Sequence, residues 1–227
     1  MNSPPDFNRL ARIYQWMEAL SFGPWLWGCR CAWLDSLKSR DPKHALVLGD
    51  GDGRFTAKLL RTCPGIHVDA VDASSAMLQA TLRRAAPDAA RLRVFLADAR
   101  KFEPPHPPYD LIVTHFFLDC LTTAEVQALA TTLSRAATPD AQWLVSEFAV
   151  PRNGFGRLIA QPLVSLLYFA FARLTGLAQR SLPDHRSALS QSGFTLFHQR
   201  AWLGGLLSSE LWSFNAHESK VNAESTS

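Results

Sequence analysis

Short apolar runs recur along the chain and alternate with stretches in which apolar residues return every three or four positions. The first run, Ala45–Leu48, is typical of a strand buried on both faces. The pattern predicts seven strands, at 45–48, 66–71, 91–97, 109–115, 141–147, 194–201 and 206–214. Helices are predicted between them, at 54–62, 74–85 and 122–137, with a short one near 183–193. This alternation predicts an α/β fold built on a doubly wound, mostly parallel seven-stranded sheet.

Two helical regions lie outside the alternation. Residues 1–40 predict an N-terminal helical cap, with one helix over 6–20 and a second, aromatic-rich helix over 25–37. The second helix carries three tryptophans, so the cap should pack over the sheet or the ligand cleft. Residues 151–180 predict a helical lid, kinked at Pro162 and too short and interrupted to cross a bilayer. We interpret the lid as lining an apolar acceptor pocket. Peripheral membrane contact and plain core packing are the alternatives.

Composition narrows the class of protein. With 227 residues, 47% of them hydrophobic and 19% charged, the chain can form one globular domain, which we place over 1–227. A net charge of +3 without a strong basic cluster argues against a nucleic-acid partner. The four cysteines lack the paired spacing of zinc sites, so no metal is expected. Charges interrupt any signal peptide at the start, which predicts a reduced, cytoplasmic protein whose only membrane association would come through the lid.

The turn after the first strand is rich in glycine and acid: it reads Gly49-Asp50-Gly51-Asp52-Gly53. A strand, a glycine turn and a helix start in that order form a cradle for a nucleotide or nucleoside. The dinucleotide fingerprint fails at its sixth position, which is arginine, and no P-loop lysine follows. Two aspartates would repel a pyrophosphate but suit an adenosine with a cationic tail, as in S-adenosyl-L-methionine (SAM). A tight turn without any ligand is the alternative.

Further polar groups follow the later strands. Asp72 ends the second strand, roughly 20 residues beyond the glycine turn, where an acid meets ribose hydroxyls in a βαβ unit. Asp98 ends the third strand and His115 the fourth. Since the carboxyl ends of parallel strands meet at one edge of a sheet, these groups predict a ligand site there.

In these residues the chain resembles the class I SAM-dependent methyltransferases. Residues 49–53 match their glycine motif, Asp72 the ribose-binding acid, Asp98 the acid beside the adenine amino group, and 109–117 the strand beside the methyl donor. The family usually has an acid two positions before the first glycine, where this chain has Val47. The resemblance implies a Rossmann-like methyltransferase fold that closes with an antiparallel pair of strands. The implied SAM-binding set is Tyr14, Gly49, Asp50, Gly51, Asp52, Gly53, Asp72, Ala73, Met77, Asp98, Ala99, His115 and Phe116.

A finer resemblance concerns the N-terminal segment. Its Phe-x-x-x-Ala-x-x-Tyr-x-x-Met run, from Phe7 to Met17, is similar to that of the ubiquinone/menaquinone-biosynthesis C-methyltransferases, and so is Gly204-Gly205 near the end. The likeness would place Tyr14 near the cofactor; an ordinary packed tyrosine is the alternative. Where those enzymes carry an Arg-Asn pair after the fourth strand, this chain has Leu118-Asp119-Cys120.

Two residues are candidates for catalysis. His115 can position the acceptor or act as general base, and Asp119 can orient His115 or bind an acceptor hydroxyl. The predicted function is SAM-dependent methyl transfer to a small apolar, aromatic (quinol or phenol) or lipid-like acceptor, with S-adenosyl-L-homocysteine (SAH) as product. The alternatives are a small-molecule O- or N-methyltransferase of secondary metabolism and an inactive SAM-binding scaffold, to which Val47 lends slight support. Oligomerisation is left open.

Overall fold

The structure, a computed structural model, describes residues 23–106, 108–149 and 182–214. In chain order the helices are α1 (Gly23–Arg30), α2 (Leu34–Arg40), α3 (Arg54–Thr62), α4 (Ser75–Arg84), α5 (Thr123–Arg135) and α6 (His185–Gln191). The strands are β1 (His44–Leu48), β2 (His67–Asp72), β3 (Leu92–Leu96), β4 (Tyr109–His115), β5 (Ala137–Phe148), β6 (Phe194–Trp202) and β7 (Leu207–Phe214). Short 3-10 turns lie at Ala86–Arg91, Leu118–Cys120 and Leu203–Gly205.

The strands form one seven-stranded sheet in the order β3-β2-β1-β4-β5-β7-β6. Strands β1 to β5 pair in parallel, whereas β7 runs antiparallel to both β5 and β6. The predicted seven-stranded sheet with helices is therefore confirmed, and the sheet is mixed. The order reverses at β1, which lies between β2 and β4, and this is where open α/β sheets bind ligands.

Alternate residues of the central strands pack into two apolar layers. On one face Val47, Val113 and Leu144 pack with side chains of α2 and α3. On the other face Leu46 and Trp143 join a cluster that includes α5 and α6. A strand that is covered on both faces has a continuous run of apolar residues, and this is why the sequence predicted a buried strand at 45–48.

Helix starts follow the capping residues of the sequence. Ser74 caps α4 by accepting from the Met77 backbone N–H, and Thr122 caps α5 in a reciprocal capping box with Glu125. Asp184 caps α6 by accepting from the Ser187 N–H. These caps fix the starts of α4 and α5 to within one residue, and that of α6 to within two, of their predicted positions.

The helix predicted over 25–37 is wrong as a single element, because α1 ends at Arg30 and α2 begins at Leu34. Trp33 lies in the break, where it is buried, stacks on His198 and lies 4.6 Å beneath the Arg200 guanidinium. These contacts with β6 require a break that helical periodicity cannot reveal. The rest of the predicted cap, residues 1–22, and the predicted lid at 151–180 lie outside the described residues.

Candidate functional site

The carboxyl ends of β2, β1, β4 and β5 bring the predicted site residues to one edge of the sheet. The Gly49 N–H donates to the Val71 carbonyl at 3.0 Å, which holds the glycine turn beside the end of β2. On the other side, the Phe116 N–H donates to the Ser146 carbonyl at 2.6 Å. The turn at 49–53 therefore lies between Asp72 and the segment that follows β4.

All three glycines of the turn have positive φ, at 66°, 66° and 77°. A Cβ on Gly49 would lie 2.4 Å from Cδ2 of Phe117, and one on Gly53 would lie 2.5 Å from Cα of Thr81. A Cβ on Gly51 would meet no atom of the described residues within 4 Å. Two glycines are thus required by packing, whereas Gly51 leaves open space where a ligand can approach the backbone.

Asp50 is buried under this turn. Its Oδ2 accepts from the Thr56 N–H at 2.8 Å and from the Thr56 hydroxyl at 2.7 Å. Its Oδ1 is buried and has no hydrogen-bond donor among the described residues. Burial raises the pKa of Asp50 to about 6, and the nearby Arg30 guanidinium opposes that rise. Asp50 thus keeps one buried acceptor oxygen without a donor among the described residues.

Arg30 is a site residue that the sequence did not reveal. It ends α1, is buried, and places its guanidinium 5.5 Å from the centre of the Phe116 ring. Its charge acts on both Asp50 and His115, which fixes it between the glycine turn and the end of β4. No pattern in the sequence indicated that this single arginine, in an aromatic-rich helix, would lie at the site.

Asp52 faces two arginines instead of the open side of the turn. Its Oδ2 lies 2.8 Å from Nη2 of Arg84 and 3.0 Å from Nε of Arg54. Arg84 Nε also donates to the Asp52 carbonyl at 3.0 Å. From the sequence we predicted that Asp50 and Asp52 would both face the cationic tail of SAM. In the structure the charge of Asp52 is balanced by Arg54 and Arg84 instead.

Asp72 lies at the end of β2 with its Oδ1 accepting from the Ser74 N–H at 2.8 Å. Burial raises its pKa to about 6, although the Ser74 bond lowers it, and the charge of Asp50 raises it further. Ala73 is half-buried in the same turn, and Met77 is buried on the first turn of α4. Asp50 and Asp72 therefore lie close enough to interact electrostatically.

Asp98 is held by an arginine of its own turn. Arg100 donates from Nε to Oδ1 at 2.8 Å and from Nη2 to Oδ2 at 2.6 Å, and these bonds hold the pKa of Asp98 below its usual value. Arg100 also reaches Glu125 at 3.3 Å. Ala99 packs in the apolar core. An adenine amino group at Asp98 would share the carboxylate with Arg100.

His115 ends β4 in a fully enclosed position. Its ring packs edge-on against Phe55 with centroids 4.4 Å apart, and neither ring nitrogen has a hydrogen-bond partner in the described part of the chain. Burial lowers the pKa of His115 well below its usual value, and the Arg30 charge lowers it further. His115 is therefore a neutral imidazole. The next residue, Phe116, has a φ of 53°, a strained value for a side chain of its size.

Asp119 follows β4 in the Leu118–Cys120 turn and meets a carboxyl group that the sequence reasoning missed. Glu147, near the end of β5, is buried, and its Oε1 accepts from the N–H groups of Phe117 at 3.1 Å and Leu118 at 2.8 Å. Backbone hydrogen bonds to Glu147 Oε1 and Asp119 Oδ2 bring the two residues together, and each carboxyl group acts on the pKa of the other. Glu147 ends a predicted strand, as Asp72 and Asp98 do, and that signal could have identified it. Tyr14 lies outside the described residues.

No group of three or more His, Cys, Asp and Glu side chains is arranged to hold a metal ion in the described parts. No helix formed by these residues is long and apolar enough to cross a membrane.

Residues 45–140 match the family model of a methyltransferase domain. The stretch runs from β1 into β5 and contains the glycine turn, Asp72, Asp98, His115 and Asp119. No curated protein matches the chain. The predicted class of enzyme, a SAM-dependent methyltransferase, and its predicted cofactor are confirmed at the level of domain and fold.

Solved structures of methyltransferases share the fold at low sequence identity. The N-methyltransferase NodS from Bradyrhizobium japonicum, in complex with SAH, is 14% identical over 82% of this chain and 84% of its own, with a TM-score of 0.56. An O-methyltransferase family 2 protein from Planctomyces limnophilus, in complex with apigenin, is 17% identical over 89% and 61%, with a TM-score of 0.64. An O-methyltransferase family protein from Burkholderia thailandensis is 15% identical over 81% and 55%, with a TM-score of 0.61. The chain thus spans about three fifths of the length of these two O-methyltransferases.

Proposed function

We propose that this methyltransferase transfers a methyl group from SAM to a small, apolar acceptor of the phenol or quinol class. The observation that carries the proposal is the unpartnered Oδ1 of Asp50, buried beneath an open glycine turn at the carboxyl edge of the sheet. A buried carboxylate oxygen without a donor is costly, and a cationic ligand group removes that cost. A phosphate, by contrast, would meet the charges of Asp50 and Asp72.

The residues of the edge fit SAM in three places. Asp50 would accept a hydrogen bond from the ammonium group of the methionine part of SAM. The positive charge of Arg30, near Asp50, would balance the carboxylate of that methionine part. Asp72 would accept from the ribose hydroxyls. Gly51 leaves room for the nucleoside against the backbone. When bound, SAM supplies a methyl group already activated by a sulfonium.

The protein then has to hold the acceptor in line with that methyl and to exclude water. We assign acceptor positioning to His115, whose neutral ring offers one N–H and one lone pair. Asp119 is assigned to the acceptor hydroxyl. The quinone-like character of the acceptor and the role of Tyr14 rest on the sequence of the N-terminal segment, and membrane contact rests on 151–180; both segments lie outside the described residues.

Binding and turnover separate this function from its alternatives. Calorimetry of the folded protein is expected to show SAH binding, and mass spectrometry is expected to show methylated product with phenols or quinols. Methylated amines as the only products would favour the N-methyltransferase alternative. SAH binding without product from any phenol, quinol, amine or cell lipid extract would indicate a scaffold. Absence of SAH binding would exclude the proposed donor.

Replacing Asp72 by Ala is expected to weaken SAH binding by about 10- to 100-fold, because hydrogen bonds to a charged group contribute about 1.5–3 kcal/mol. The measurement is calorimetry at neutral pH. Asp140→Ala is the control, since Asp140 is an exposed aspartate at the opposite end of β5 and should leave the affinity unchanged. Equal affinity of Asp72→Ala and wild type would show that the ribose contact is misassigned.

Donor affinity is also expected to fall in mild acid. The pKa values of Asp50 and Asp72 are about 6, so both groups are charged at pH 7.5 and protonated at pH 5. If the ligand binds only the charged forms, affinity for SAH should decrease about tenfold per group over this range. Calorimetry at half-unit steps checks the midpoint. A flat profile from pH 7.5 to pH 5 would contradict charge-dependent binding at both carboxylates.

A further inference from the structure

The two carboxyl groups of Asp119 and Glu147 form a buried pair at the ends of β4 and β5. Glu147 Oε1 accepts from two backbone N–H groups, and Asp119 Oδ2 accepts from the Phe148 N–H at 3.4 Å. The other two oxygens, Asp119 Oδ1 and Glu147 Oε2, are buried and receive no N–H or hydroxyl from the described residues. Two charged carboxylates would therefore face each other without a donor.

A single proton shared by the two carboxyl groups would remove the repulsion between two charged carboxylates and supply the missing donor. Burial and the charge of Asp119 raise the pKa of Glu147 well above its usual value, so Glu147 carries the proton. As a neutral acid it keeps both backbone bonds on Oε1 and donates from Oε2 to Asp119. That donated bond lowers the pKa of Asp119, while burial raises it to about 6. Asp119 is thus the charged member of the pair near neutral pH.

The pair adjoins the donor site. Glu147 holds the N–H groups of Phe117 and Leu118, and Phe117 is the residue whose ring would touch a Cβ on Gly49. Asp119 comes two residues later and is only partly buried, although its Oδ1 is covered. Asp119 therefore lies on the segment that borders the glycine turn on the β4 side.

We propose that the Asp119–Glu147 pair takes the proton of a methyl acceptor's hydroxyl, and that the acceptor is a phenol or hydroquinol. The inference rests on the proposed function and identifies the substrate class of the same site. In the step, the acceptor O–H bond breaks, the proton moves to Asp119 and the electron pair stays on the acceptor oxygen. Glu147 is a positioning residue, since it orients Asp119 and supplies the hydrogen bond that keeps Asp119 charged.

The basicity of the pair selects this class. Burial raises the pKa of Asp119 and so strengthens it as a base, and a phenol, whose pKa is about 10, gives up its proton far more readily than an aliphatic alcohol, whose pKa is close to that of water at about 16. His185 also acts on Asp119 and lowers its pKa. The imidazole Nε2 of His185 lies 3.2 Å from Glu210 Oε2, and Arg186 balances Glu210 at 2.5 Å.

The test uses the SAH-loaded protein and 4-nitrophenol, whose phenolate absorbs at longer wavelength than the phenol. At pH 6, bound 4-nitrophenol is expected to show phenolate absorption in wild type and in Glu147→Gln, but phenol absorption in Asp119→Asn. At pH 7.5, where Asp119 is charged, infrared spectra should show one protonated carboxyl band from the pair in wild type, which Glu147→Gln removes. Addition of the phenol to wild type should add a second band. Asp140→Asn is the isosteric control for the loss of an aspartate.

The infrared readout does not require Asp119→Asn to fold. Phenolate absorption that persists in Asp119→Asn, or a wild-type infrared spectrum without a second band, overturns the proposal. Absence of any phenol binding to SAH-loaded protein also overturns it. In each of these cases SAH binding persists, so the failure is distinct from failure of the proposed donor. Loss of SAH binding in wild type itself would instead overturn the proposed function, and this inference with it.

Discussion

Asp50→Asn is expected to weaken SAH binding by about 10- to 150-fold while making the donor-free protein more stable at pH 7. The loss of affinity follows from the loss of a charged acceptor for the ligand ammonium, which contributes about 1.5–3 kcal/mol. The gain in stability has the opposite sign because the pKa of Asp50 is raised by burial. A raised pKa means that the fold favours the neutral form, so the donor-free protein loses stability as the pH rises from about 4 through about 6. Asparagine removes that penalty, which is at most about 3 kcal/mol.

The measurements are SAH calorimetry and urea unfolding at pH 5 and pH 7. Asparagine retains an oxygen for the Thr56 N–H and hydroxyl, so the shape of the turn is kept. Asp52→Asn is the contrasting variant, because it breaks pairs with Arg54 and Arg84 and should lower stability instead. If Asp50→Asn bound SAH as tightly as wild type, the ammonium would have to be bound elsewhere.

Gly53→Ala is expected to destabilise the fold by about 2–5 kcal/mol, against about 1–2 kcal/mol for Gly51→Ala. Both glycines have positive φ, which costs an alanine about 1–2 kcal/mol. At Gly53 the added Cβ would also lie 2.5 Å from the Cα of Thr81 in α4, and a backbone atom of a packed helix cannot move away cheaply. Overpacking of this kind adds about 1–3 kcal/mol.

The pair of variants separates packing from ligand binding. Urea unfolding gives the stability difference, and SAH calorimetry at a temperature where both variants are folded gives the affinity. Gly51→Ala should stay folded but bind SAH less tightly, because its methyl group would lie in the open space above the turn. Equal destabilisation of the two variants would show that α3 and α4 do not approach as closely as described.

The elements of the fold were accessible from local patterns. Strand β4 and helix α3 have their predicted bounds, because a strand covered on both faces must be apolar throughout and a helix shows its period. The starts of α4 and α5 could be predicted from Ser74 and Thr122, because each side chain accepts from the backbone N–H three residues later. The break at Trp33 was missed because its cause is a contact with β6, more than 160 residues further along the chain.

The site divides in the same way. The sequence by itself determined the glycine turn, the acids at the strand ends and hence a nucleoside-binding methyltransferase domain, since positive φ and strand ends are local properties. Only the tertiary structure decided that Asp52 pairs with Arg84, that one oxygen of Asp50 has no donor among the described residues, and that Glu147 lies beside Asp119. Whether a carboxyl group is charged, paired or proton-sharing depends on burial and on neighbours from distant parts of the chain, which no local pattern encodes.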